Sequence, residues 1–130
     1  LATAPDDLLR LINSGRRARG AKPLEADPNL QKAGAVALEQ YFSDPEVSQQ
    51  AAIETGVLEM RPFAIAYERV SGVMIVTTTL REAARLEPTF STKYGATGIA
   101  MARGARPDVA PNATAIMIML AAPRPDDSPP

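Results

Sequence analysis

Histidine and cysteine are both absent from the sequence, and tryptophan with them. Without cysteine there can be no disulfide, no thiol nucleophile and no thiolate metal site. The absence of histidine excludes more, because it removes the commonest general base and the commonest metal ligand together. Ser43, Ser71 and Ser91 would each need a buried Lys22, Lys32 or Lys93 beside them instead, and no nucleophile motif surrounds any of the three. Charge of one sign is lacking too: 14 basic residues against 15 acidic leave a net charge of −1, too little to hold nucleic acid or an anionic membrane surface through a global field. No apolar run approaches the roughly 20 residues that a membrane-spanning helix needs.

What is present suffices for one core. The chain has 130 residues, 45% of them hydrophobic, which bounds it to a single domain. We place that domain at 1–121. Residues 122–130, Ala-Pro-Arg-Pro-Asp-Asp-Ser-Pro-Pro, read as a proline-rich tail or linker. The opening Leu1-Ala2-Thr3-Ala4 has no methionine, which is what a processed export product would show. Asn112-Ala113-Thr114 spells a glycosylation sequon, which would carry little weight if the source were bacterial.

The stretch 86–121 organises the rest. Tyr94 to Arg103 and Thr114 to Ala121 are expected strands, joined through Gly104-Ala105-Arg106-Pro107-Asp108 and on past Pro111 and Asn112, as a hairpin. Neither strand alternates cleanly with polar residues, so the central sheet should be covered on both faces. Helices upstream supply the covers. Pro5-Asp6-Asp7 opens a helix with Leu8, Leu11 and Ile12 on one face, ending between Gly15 and Gly20. Arg10, Arg16, Arg17 and Arg19 cluster there as a solvated basic helix end, or as an anion site. Asp27 is the expected N-cap of a second helix with Pro28 in its first turn, and Leu30, Ala33, Ala37 and Tyr41 share its face. Ser43-Asp44-Pro45-Glu46 repeats that chemistry for a third helix from Val47 to about Ile53, stopping before Gly56. A strand follows from Phe63 to Val70, broken by Ser71-Gly72, with Val73 to Val76 as a second short strand. Thr79-Leu80-Arg81-Glu82 is a capping-box pattern for a helix to about Leu86, ended by Pro88. Met117 and Met119, with Met101 on the partner strand, could line an adaptable apolar pocket or fill the core.

Three segments, Asn13 to Ala37, Ala66 to Val70 and Leu86 to Ala100, together resemble the CAP superfamily in its small bacterial form, the SCP domain. Asn13, Arg16, Gly20, Pro23-Leu24 and Asp27-Pro28-Asn29-Leu30 to Ala33 and Ala37 follow the family's opening. Ala66-Tyr67-Glu68-Arg69-Val70 stands where the family has a Glu-Asn pair beside its cavity. Leu86-Glu87-Pro88-Thr89-Phe90-Ser91-Thr92 to Gly98-Ile99-Ala100 resembles its Asn-Pro-x-Phe-Thr turn and glycine-containing strand. The resemblance implies an α/β fold, a three-layer α-β-α sandwich with a mainly antiparallel central sheet. It also implies a cavity in which two histidines and two glutamates can hold a divalent metal. Here Phe42-Ser43-Asp44 and Arg81-Glu82 stand where the histidines would be, and Glu68 is the one tetrad member that carries over.

The expectation is therefore a non-enzymatic, metal-independent CAP-like binding domain without a cofactor. It would be exported, secreted or held outside the cytoplasm, with a membrane anchor elsewhere as one means. Its partner would be a protein, a cell-envelope component or a lipid, and not nucleic acid. Glu68, Tyr67, Arg69, Asp44 and Arg81 are the candidate binding residues. The alternative is a hydrolase or metal site built from carboxylates only, Glu68 with Asp44 or Glu46, since hard cations want several convergent oxygens. A lipid carrier would further require an apolar cavity of roughly 300 Å³ or more.

Overall fold

A computed structural model describes residues 4–124. Its elements are α1 (Ala4–Ala18), β1 (Glu25–Ala26), α2 (Pro28–Ser43), α3 (Gln49–Glu59), β2 (Tyr67–Thr77), α4 (Leu80–Ala83), β3 (Ala96–Ala102) and β4 (Thr114–Pro123), with single 3₁₀ turns at Arg61–Phe63 and Glu87–Phe90. The strands form one sheet in the order β1-β3-β4-β2. β4 pairs antiparallel with β3 and β2, while the two-residue β1 pairs parallel with β3. The sheet is thus mixed, and the segment expected only to link α1 and α2 contributes its parallel edge.

β4 is covered on both faces, and its sequence says by what. Ala115, Met117, Met119 and Ala121 point to one side and pack with Leu30, Ala33, Ala37 and Tyr41 of α2 and Ala52 of α3. Ile116, Ile118 and Leu120 point to the other and pack with Leu8 and Ile12 of α1 and Ala83 of α4. All seven residues are essentially without solvent exposure, at about 1.5 to 3 kcal/mol for each large side chain removed from water. The sandwich expected from the absence of polar alternation is present. Small or flexible residues lie under α2 because that helix sits close to the sheet. A Cβ on Gly34 would lie 3.3 Å from Ala100 Cβ, and one on Gly56 would lie 2.9 Å from Met119 Sδ.

Several local expectations need correction. Ser71-Gly72 does not break the strand: β2 is continuous from Tyr67 to Thr77, and Gly72 supplies clearance beneath Met119 Sδ and Ile53. β2 also does not begin at Phe63, because Arg61–Phe63 forms a 3₁₀ turn with Pro62 inside it. α3 starts at Gln49 with Ser48 as its N-cap and runs through Gly56, where the missing side chain fits Ala37 and Met119. α4 is one turn long. The Thr79 cap forms, but the Glu82 side chain turns to the Thr77 hydroxyl at 2.6 Å in place of closing a capping box. The end of α1 needs no correction: it falls at Ala18, between Gly15 and Gly20, and the chain leaves through Gly20, whose φ of +74° is the left-handed exit that glycine permits. β4 runs on through Ala122 and Pro123, the Arg124 amide donates to Ala66 O at 3.0 Å, and 125–130 of the expected tail lies outside the described residues.

Candidate functional site

The five residues singled out from sequence are not brought together. Tyr67 is buried, and its hydroxyl donates to Asp27 Oδ2. Asp27 is the N-cap of α2 and accepts from the amides of Asn29 and Leu30, so this tyrosine fixes the start of α2 to the start of β2. Glu68 is the extra residue of a bulge between Tyr67 and Arg69, and both Glu68 and Arg69 are exposed. Asp44 closes the far end of α2, a 16-residue helix and so about 24 Å long. Its Oδ1 accepts from the Glu46 amide in a local turn. Arg81 is exposed on α4, across the sheet. A carboxylate pair of Glu68 with Asp44 or Glu46 is therefore not assembled, and no group of three or more His, Cys, Asp or Glu able to hold a metal occurs among the described residues.

Burial pushes the Tyr67 hydroxyl above its ordinary value of 10.0, and the neighbouring Asp27 carboxylate adds to the effect. A tyrosine held protonated in the folded state stabilises it fully below the unfolded value, and that contribution is lost as pH rises through the folded value. Urea unfolding of the parent chain should therefore show a loss of stability above about pH 10 that Tyr67→Phe removes. At neutral pH the same substitution should cost about 1 kcal/mol, the net worth of one hydrogen bond.

Two arginines that sequence reading left in solvent or in a turn make the most side-chain hydrogen bonds among the described residues. Arg16 is 1% exposed. Its Nε donates to Lys22 O at 2.6 Å, Nη1 to Thr89 O at 2.7 Å and Ser91 O at 3.0 Å, and Nη2 to Tyr94 O at 3.2 Å. Burial lowers its pKa without discharging a guanidinium. Beside it, Asn13 clasps Leu24, accepting from its amide at 2.7 Å and donating to its carbonyl at 3.1 Å. Arg106, in the β3–β4 connection, lies 3.7 Å from the Tyr41 ring centroid and donates to the carbonyls of Tyr41, Asp44, Pro45 and Val47. It also pairs with Asp108 at 2.6 Å, which holds that carboxyl below the usual range. The sequence signal was thin: an Asn-x-x-Arg spacing in α1, and one arginine among turn residues.

A cleft of about 330 Å³ on the α1 and α4 side of the sheet has room for a ligand. Met101, Ile116 and Leu80 supply apolar lining, and Thr77, Thr79 and Thr114 supply hydroxyls to it. Arg103 stands at the mouth, where its Nε donates to Thr114 Oγ1 at 3.0 Å. The register of β3 on β4 pairs Met101 with Ile116, so Met101 faces the cleft while Met117 and Met119 fill the core on the opposite face. The three methionines do not share a pocket.

By sequence the chain matches no family profile and no curated protein. By structure it is similar to the crystal structure of a cysteine-rich secretory protein from Staphylococcus aureus, at a TM-score of 0.64 and 15% identity over 93% of this chain. The chain spans 39% of the length of that protein. The fold is CAP/SCP-like. Several residues that carried the resemblance make its joints: Asn13 to Leu24, Arg16 to the turn at 89–94, Asp27 to Tyr67, and Gly98 beneath Leu30.

Proposed function

We propose that this CAP-like domain is a non-enzymatic, metal-independent binding module of an exported protein, and that its ligand end is the cleft lined by Met101 and Ile116. The cleft itself carries the reading. An apolar lining with hydroxyls and one guanidinium at the mouth fits a small amphipathic molecule, with an apolar body and an anionic head such as an envelope lipid or fatty acid presents. The distance between Glu68 and Asp44 supports a role without a metal, and the likeness to a secretory protein supports export.

Titration with a saturated fatty acid, followed by calorimetry, tests this. One saturable site is expected. Met101→Trp, which fills a half-buried position in the cleft, should weaken binding at least about tenfold (1.4 kcal/mol) while the melting temperature stays near that of the parent. Arg103→Ala should weaken the acid more than the matching alcohol. Binding that ignores Met101→Trp, or no binding at all, would overturn the cleft as the ligand end. A saturable melting shift with calcium, magnesium or zinc would overturn metal independence.

A further inference from the structure

β2 is the outer strand of the sheet and is hydrogen-bonded on one side only, to β4. Outer strands are normally protected by charge, proline, shortness or a bulge. β2 is 11 residues long, and from Val70 to Leu80 the sequence has neither a charged residue nor a proline. Its one bulge is at Glu68, leaving Arg69 to Thr77 as a regular, unpaired edge. Alongside it, Ile53, Val57 and Leu58 of α3 line an apolar groove with Val70 and Gly72, and Leu58 is 53% exposed.

We propose that this edge pairs with the same edge of a second copy, antiparallel about a two-fold axis at Val73. The regular segment is centred on that residue, so the pairing joins Arg69 to Thr77 of the other copy, Val70 to Val76 and Gly72 to Met74. Each pair differs by an even number of residues, which keeps the α2 and α3 layer of both copies on one side of a continuous eight-stranded sheet. The second copy's Val76 then covers the groove at Val70.

Charge selects this occupant. Thr77 donates to Glu82 Oε2 at 2.6 Å, and the pairing sets Arg69 opposite that threonine on the same face, next to the second copy's Glu82. Arg69 and Glu82 are both exposed, and the ion pairs among the described residues, Arg10 with Asp7 and Arg106 with Asp108, leave both free. The two-fold axis forms the new contact twice. The chain's own last residues make poor occupants, because 125–130 is half proline and proline cannot donate to a ladder.

Sedimentation equilibrium of the full chain over a concentration series should show a species of twice the 13.8 kDa chain mass. Arg69→Glu should raise the dimer dissociation constant roughly tenfold, since an attraction becomes a repulsion at two places. The double variant Arg69→Glu with Glu82→Arg should restore it. Both positions are exposed, so the fold survives the exchange. The cysteine-free chain permits a second measurement: Val73→Cys should cross-link to itself on mild oxidation, whereas Thr77→Cys, facing position 69, should not. A monomer throughout, a dimer indifferent to the charge exchange, or self-cross-linking at 77 in place of 73 would overturn the proposal. Binding of an extended peptide by a chain that stays monomeric would do so as well.

Discussion

Arg16→Ala is expected to cost the fold about 4 to 5 kcal/mol, most or all of the stability of a domain at the lower end of the usual range. The substitution strips donors from the carbonyls of Lys22, Thr89, Ser91 and Tyr94 at once, around a side chain that is 1% exposed. Each buried carbonyl left without a partner costs about 1 to 3 kcal/mol. Some of that will be recovered by water entering the gap, so a total of about 4 to 5 kcal/mol is expected, against a whole-domain stability of about 5 to 15 kcal/mol. The damage is also topological. Arg16 joins α1 to residues 89–94, which lead into β3, so its loss removes one tie between α1 and the sheet and leaves the packing of Leu8 and Ile12 to hold that layer. Arg16→Lys should rescue little, because an ammonium on a flexible stem cannot spread donors over carbonyls on separate sides as a planar guanidinium does. Urea denaturation of the two variants beside the parent measures this. A loss below about 1 kcal/mol for Arg16→Ala would mean that the turn at 89–94 holds without it.

Gly98→Ala is the second large effect. A Cβ at this position would overlap the backbone of Leu30 and Gln31 and would sit 2.6 Å from Leu30 Cβ. Backbone cannot swing aside as a side chain can, so α2 must lift or slide. That motion would strain the bond from Asp27 N to Thr97 O at 2.8 Å and the Asp27 to Tyr67 contact. A loss of about 3 kcal/mol or more is expected, at or beyond the upper range for an overpacked core, which lowers the melting temperature by roughly 10 °C or more. Gly20→Ala is the contrasting control. Its φ is +74° with nothing within 4 Å of the added carbon, so only the left-handed backbone resists, at about 1 to 2 kcal/mol. Thermal melts of the two variants separate crowding from backbone strain, and equal losses would contradict the close approach of α2 to β3.

What the sequence determined by itself was local or periodic. The N-caps at Asp27 and Thr79, the hairpin with its loop at 104–113 and the double burial of β4 follow from short-range patterns, because a cap needs a side-chain oxygen within three residues and a strand buried on both faces needs no polar alternation. The absence of histidine likewise settled, without coordinates, that the family's metal ligands could not all be present. What only the tertiary structure decided depended on partners far away in the chain. Arg16 looked like one of four solvated arginines because its acceptors include carbonyls up to 78 residues away, and a backbone carbonyl leaves no mark in the sequence. The β3 and β4 register put Met101 on the opposite face from Met117 and Met119, since a pairing shift of one residue exchanges the faces. Gly72 and Gly56 read as breaks because a glycine that relieves crowding and one that ends an element have the same spelling, and only the nearby Met119 shows which is meant. Among the candidate residues, Tyr67, Glu68 and Arg69 stay together at the start of β2 while Arg81 lies on α4, and Asp44 is set apart from Glu68 for the same reason: a helix of 16 residues separates two carboxylates that sequence alone could imagine side by side.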